Sequence, residues 1–374
     1  MDIGSLFAPM RAAASWLWQR IRGRPTVQAG ERAVVAGQDQ TLSAPVLTGG
    51  GALATDKATA VTAPGAGTVI VAQNVTVYTD GLSQAPPPTR THFEEGSKLQ
   101  EQEQHDAAIN CFLAAFADAE TDSQRGALHL LIGISHHRLS QFSQAEGSYT
   151  EALRLFTSSA DEQGRAAALG NLGVVYLRAG ALNRAEQHHK QALDIHRQIG
   201  NRLGQANQLR NLGIVYVQRG ALERAEQYHK QALDIDHEIG YRLGQANQLG
   251  NLGNVYHLRG DLQRAEQYYK EALQSHRQIA DCLGEAQDLG NLGIVYSRQG
   301  HLDRAEQHCN DALEIHHQIG YRLGEAEALT NLANVYLLRP DLERAEDSFR
   351  QSLAIYDEIG AGGEGPAIVR RALA

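Results

Sequence analysis

An all-α solenoid of stacked helix pairs is the fold class this 374-residue sequence predicts, on three observations. Asn recurs as Asn171, Asn211, Asn251, Asn291 and Asn331, and Tyr five residues later as Tyr176, Tyr216, Tyr256, Tyr296 and Tyr336, a period of forty without slippage. Gly180, Gly220, Gly260 and Gly300 close the segment that follows, where a missing Cβ permits the left-handed turn of a helix C-cap; Pro340, in the fifth place, likewise cannot continue a helix. Apolar residues on either side of each break keep helical spacing, and 374 residues exceed what one compact core ordinarily serves.

Within a period the first helix, A, is carried by Leu169, Leu172 and Tyr176, with Gly173 staying small where a neighbouring helix must come close. The second, B, is carried by Leu182, Ala185, Ala192, Leu193 and Ile199, its other faces charged or amide-bearing. A turn of two or three residues forces A and B antiparallel, and neither stripe is covered until the next pair stacks on it. Gly133, Ala145 and Ala152 extend the phase backwards, with Leu131 in place of Asn and His136 in place of Tyr; Gly96, Ala108 and Ala115 add one more unit. Seven pairs are expected over residues 91–359, with a capping helix over 360–374.

Residues 24–90 differ in kind. They are rich in Gly, Ala, Thr and Pro, and TVIVAQNVTVYT at 68–79 alternates apolar and polar residues, so the composition admits either a linker or a small β element. Residues 1–23 place Leu6, Met10, Ala14, Leu17 and Ile21 on one helical stripe flanked by Trp16, Trp18, Arg11, Arg20 and Arg22, the composition of an interfacial helix. Such a helix suits a peripheral membrane contact, a partner, or the chain's own repeats. Asp2 and Arg11 make the start a poor secretory signal, and three unpaired-looking cysteines (Cys111, Cys282, Cys309) suit a reducing, cytoplasmic setting.

With Gly173, Tyr176, Ala185 and Ala192 in order, the unit resembles a tetratricopeptide repeat. Its forty-residue period, with GNLGxxY on helix A, is similar to the branch found in Pins-type spindle-orientation scaffolds and bacterial signalling proteins; kinesin light chains are a longer-period comparison. The resemblance implies that helix A lines a concave groove, which puts Asn171, Asn211, Asn251, Asn291 and Asn331 along it. A carboxamide carries donors and an acceptor together, so it can pair with both the N–H and the C=O of a bound peptide. The alternative is that each Asn satisfies backbone groups of the neighbouring pair. Three residues on, in a position also used for peptide contact in the resembling proteins, stand Val174, Ile214, Asn254, Ile294 and Asn334. Arg210 is the lone charge in a row otherwise Gly170, Gly250, Gly290 and Thr330, and with Arg178 and Arg298 it would suit an acidic ligand residue.

The chemistry this pattern excludes is as informative. Beyond residue 90 the chain carries 27 basic against 38 acidic residues, unlike a nucleic-acid binder. No histidine pair on a B helix has the i, i+4 spacing of a metal site, so neither metal nor cofactor is expected. No phosphate loop or nucleophile elbow occurs, and the recurring carboxylates Glu186, Glu226, Glu266, Glu306 and Glu346 read as framework. The expected function is a non-catalytic scaffold or adaptor that binds an extended peptide segment of a partner protein. The alternatives are a signalling regulator that couples the array to a membrane or effector through its N-terminal segment, and a regulatory phosphatase, whose mark would be a single-repeat oddity such as Gln287 or Asp288.

Overall fold

The computed structural model of the chain describes residues 85–373, residues 81–82, and the backbone of residues 60–61, 69–72 and 75–78. The amphipathic helix expected over 1–23 and the remainder of the 24–90 segment lie outside the described residues. Fifteen α-helices follow one another among the described residues. Seven antiparallel pairs are α1 (Pro87–Glu101) with α2 (His105–Ala115), α3 (Asp122–Arg138) with α4 (Phe142–Ser158), α5 (Glu162–Arg178) with α6 (Leu182–Gln198), α7 (Arg202–Gln218) with α8 (Leu222–Glu238), α9 (Arg242–Arg259) with α10 (Leu262–Gln278), α11 (Cys282–Gln299) with α12 (Leu302–Gln318), and α13 (Arg322–Leu338) with α14 (Leu342–Glu358). A last helix, α15 (Glu364–Leu373), packs against α14 and contributes Val369 to its core. The first helix thus begins at Pro87, four residues before the expected start, because Pro87 and Pro88 sit in the first turn, where a missing N–H costs nothing.

The turns are built as the glycine period requires. Gly180, Gly220, Gly260 and Gly300 take φ between 70° and 81°, and the amide of Ala181 donates to the Tyr176 carbonyl at 2.8 Å, closing the end of α5. A second series between pairs, Gly200, Gly240, Gly320 and Gly360, adopts the same left-handed conformation, with Ala280 occupying the equivalent place at φ 56°. The next helix is then capped by a side chain: Asp161 accepts from the Gly164 amide at 2.9 Å, and Asn201 from the Gly204 amide at 2.8 Å.

The described chain divides into two compact units, one holding the residues up to Gly244 and one running from Gln245 onward. In the first, strands β1 (Ala60–Val61), β2 (Val69–Ala72) and β3 (Val75–Tyr78) form an antiparallel sheet in the order β1-β2-β3, with Val69 opposite Tyr78 and Ala72 opposite Val75. Leu82, fully buried, joins the core formed by α2 to α5.

Packing inside each pair depends on glycines that approach a large side chain. A Cβ on Gly133 would meet the Tyr149 ring at 2.5 Å, one on Gly173 the His189 ring at 2.6 Å, and one on Gly253 the Tyr269 ring at 2.6 Å. Between pairs, Gly204, Gly284 and Gly324 take His196, His276 and His316 in the same manner. These three histidines occupy places that hold Phe156 and Tyr356 elsewhere, and all five rings are buried.

Candidate peptide-binding face

The A helices pack side by side, α3 on α5, α5 on α7, and α11 on α13. On α3, α5, α7 and α11 the glycine column (Gly133, Gly173, Gly213, Gly293) faces the paired B helix, and Ala333 holds that place on α13. Asn171, Asn211, Asn251 and Asn291 stand two residues earlier, about 160° away round the helix, so their row lies on the side turned from helix B. The same side carries the residues one before and three after each Asn.

In the unit up to Gly244 this side is buried. On α3 it is apolar, with Leu130, Leu131 and Ile134 between 0% and 7% exposed. On α5, Gly170, Asn171 and Val174 are buried, and on α7 so are Arg210, Asn211 and Ile214. Arg210, the lone charge expected to face a ligand, is 7% exposed; burial lowers its pKa, with Asp236 and Tyr241 pulling the other way. The Asn211 carboxamide oxygen is buried and meets no hydrogen-bond partner among the described residues.

In the unit from Gln245 the same side is more open. Asn251 and Asn291 are each 8% exposed, while Gly250, Gly290, Ile294, Asn331 and Asn334 are half-exposed. Asn254 is committed within its pair, its side-chain oxygen accepting from the Tyr269 hydroxyl at 2.6 Å. Half-buried Arg298 lies on this side of α11, its guanidinium donating to the His257 carbonyl at 3.4 Å, and burial lowers its pKa. Half-buried Glu327 stands on the same side of α13, and desolvation pushes its carboxyl up to about 7. Sequence reasoning passed over Glu327, although its counterparts Ala167, Asn207, Asn247 and Gln287 are all uncharged.

Sequence reasoning also missed a clasp between pairs. The Tyr of four A helices reaches the Ala-Glu carboxylate thirty residues earlier: Tyr176 donates to Glu146 at 2.7 Å, Tyr216 to Glu186 at 2.6 Å, Tyr296 to Glu266 at 3.1 Å and Tyr336 to Glu306 at 3.0 Å. Burial alone would raise the Glu186 carboxyl, but Lys190, Tyr216 and Arg219 hydrogen-bond it and hold it at about 2. The constant spacing of thirty was the available signal. Asp288, one of the two single-repeat oddities, is spent on structure: it is 3% exposed and lies 2.8 Å from His276 Nδ1, with Asp281 3.5 Å from the other ring nitrogen. Gln287 is half-exposed on the Asn side of α11. Among the described residues no three His, Cys, Asp or Glu gather as a metal-holding group, and no helix is long and apolar enough to cross a membrane.

Family models described as tetratricopeptide repeat match residues 164–238, 244–316 and 302–358, and a further one matches 93–160. The chain belongs to the tetratricopeptide repeat family. The tetratricopeptide array is a protein-interaction scaffold, and the carboxamide row lies on its A helices. Comparison with curated proteins finds no match. Among solved structures, the apo form of RapI is similar with a TM-score of 0.61 and 15% identity, over 73% of this chain and 99% of that one. Aspartyl phosphate phosphatase F from Bacillus subtilis gives 0.61 and 13%, over 74% and 71%. BtubC from P. vanneervenii gives 0.51 and 22%, over 60% and 93%. At these identities the likeness is one of fold.

Proposed function

We propose that this tetratricopeptide repeat protein is a non-catalytic adaptor that binds an extended peptide segment of a partner protein on the A-helix side of residues 245–374. The observation that carries the reading is the recurrence of Asn251, Asn291 and Asn331 at one helical position, beside half-exposed Ile294 and Asn334. Stacked helices recur about every 10 Å, roughly three extended residues at about 3.3 Å each, so three carboxamides match some nine residues of strand. Each can pair with the peptide N–H and C=O without reading its side chains. Ile294 supplies an apolar contact, Arg298 a positive charge, and Glu327 a carboxyl that gains its charge only as the pH passes about 7. Asn171, Asn211 and Arg210 belong to the same row and join the binding surface only where their side is uncovered.

Peptides selected from a displayed random library against the full chain provide the test ligand. Changing Asn251, Asn291 and Asn331 together to Ala is expected to weaken their binding by about ten- to a thousandfold, from roughly 0.5 to 1.5 kcal/mol for each hydrogen bond, with little change in melting temperature. Unchanged affinity in a stable triple variant would overturn the reading. A variant that melts far earlier would instead assign the carboxamides to packing.

A further inference from the structure

The alternating segment at 68–79 is a motif of the sequence that this function leaves unused, and the structure gives its strand β3 a place. Strand β3 lies at the edge of its small sheet and packs against α3 and α5, both A helices. The chain leaving it is anchored: the Gln124 side-chain amide of α3 donates to the Gly81 carbonyl at 3.3 Å, and Leu82 is fully buried among core residues.

The helices beneath are suited to such cover. On α3 the Asn of later repeats is replaced by Leu131, which with Leu130 and Ile134 makes an apolar surface of at most 7% exposure. On α5 Val174 is 5% exposed, whereas its counterpart Ile294 on α11 is half-buried; Gly170 of α5 is instead closed by α7, where a Cβ would meet the Gln208 side chain at 2.8 Å. As the edge strand of its sheet, β3 offers a row of backbone groups at its outer edge.

We propose that β3 is an intramolecular ligand of the A-helix side of α3 and α5, and that a partner's extended, alternating apolar-polar segment binds there by displacing it. The second half of this statement rests on the peptide-binding reading above; the first half stands without it. A tethered strand competes at an effective concentration on the order of millimolar, so a partner must exceed its own strand's hold before this surface opens.

Thiol reactivity in the full chain separates the two halves, because it needs no partner. With Cys111→Ser, Cys282→Ser and Cys309→Ala as background, Val174→Cys and Ile294→Cys place probes at equivalent positions of α5 and α11. In the intact chain Val174→Cys is expected to react with a maleimide about tenfold or more slower than Ile294→Cys, as a covered site opening only transiently would. Adding Val75→Pro and Val77→Pro, which remove ladder donors, should bring the two rates within about threefold while helical circular dichroism stays unchanged. Equal rates in the intact chain would overturn the proposal, as would a Val174→Cys rate that the proline pair leaves slow. A synthetic peptide of residues 67–80 should then bind the proline variant at least about tenfold more tightly than the intact chain. Equal binding to both would overturn the displacement step and leave the first test's result standing.

Discussion

Helices α5 and α7 on one hand, and α11 and α13 on the other, are built on the same forty-residue sentence and meet different surroundings. Val174 and Ile214 are buried at positions where Ile294 and Asn334 are half-exposed. The repeat therefore sets the geometry of the side that carries the Asn row, while its burial differs from copy to copy, in part through substitutions within the period such as Gln208 against Gly170 where Ala328 stands opposite Gly290. Near-identical text does not give near-identical sites.

The largest expected difference between the two regions appears in acid. Burial lowers His189 and His196 in the first unit, and His257 and His316 in the second, to about 4, from an ordinary value of 6.5. Each stays neutral in the fold while the unfolded chain takes up a proton, so stability is fully present above pH 6.5 and falls as the pH drops toward 4, by about 3 kcal/mol per group at most. His276 runs the other way. Burial alone would lower it, but Asp288 and Asp281 raise its pKa, and the stability it contributes is present below its ordinary value and lost as pH rises. Burial also lifts Asp288 to about 6, against the pull of His276. Hydrogen exchange, corrected for the intrinsic pH dependence, should show residues 162–238 losing protection at a higher pH than residues 282–358. Asp288→Asn should bring the two losses together. Loss of protection at the same pH in the unaltered chain would mean the histidine environments do not distinguish the regions.

A smaller difference is expected from the clasps. Glu186 takes hydrogen bonds from Tyr216, Lys190 and Arg219. Removing its charge by Glu186→Gln should cost about 1 to 3 kcal/mol at neutral pH, seen as a lower denaturant midpoint with an unchanged slope. Because the folded carboxyl is held at about 2, below its unfolded value, that contribution is present above pH 4.5 and lost as pH falls through 2. An unaltered midpoint for Glu186→Gln would reduce the clasp to a surface contact. Smallest of all, Ala280 sits at φ 56° where Gly200, Gly240 and Gly320 relieve the same turn. Ala280→Gly should stabilise the second unit by about 0.5 to 1 kcal/mol, and Gly320→Ala should cost about as much, read from thermal midpoints.

Much of this architecture was legible because it repeats. The C-cap glycines, the close approach at Gly173 and the pairing of helices each left a mark every forty residues, and backbone sterics turned that mark into geometry. The Tyr–Glu clasp also repeats, yet it joins two rows thirty residues apart, and each row has a sufficient separate reading as packing or solvated charge. The burial of Asn171 and Asn211 was illegible for a different reason. Helical phase says which way a side chain turns from helix B, and says nothing of what else lies against that side. Glu327 escaped because a single acid among four neutral counterparts is unremarkable until its desolvation is known.

Photo-crosslinking tests the central claim most directly. A library-selected peptide carrying a photoreactive group is bound to the full chain, irradiated, and the adducts are located by mass spectrometry. The expected adducts fall on the A-helix side of residues 245–374, on Ile294, Asn331, Asn334 and their neighbours on α11 and α13. Adducts confined to the B helices α10, α12 and α14 would contradict the account, since they would place the ligand on the side opposite the carboxamide row.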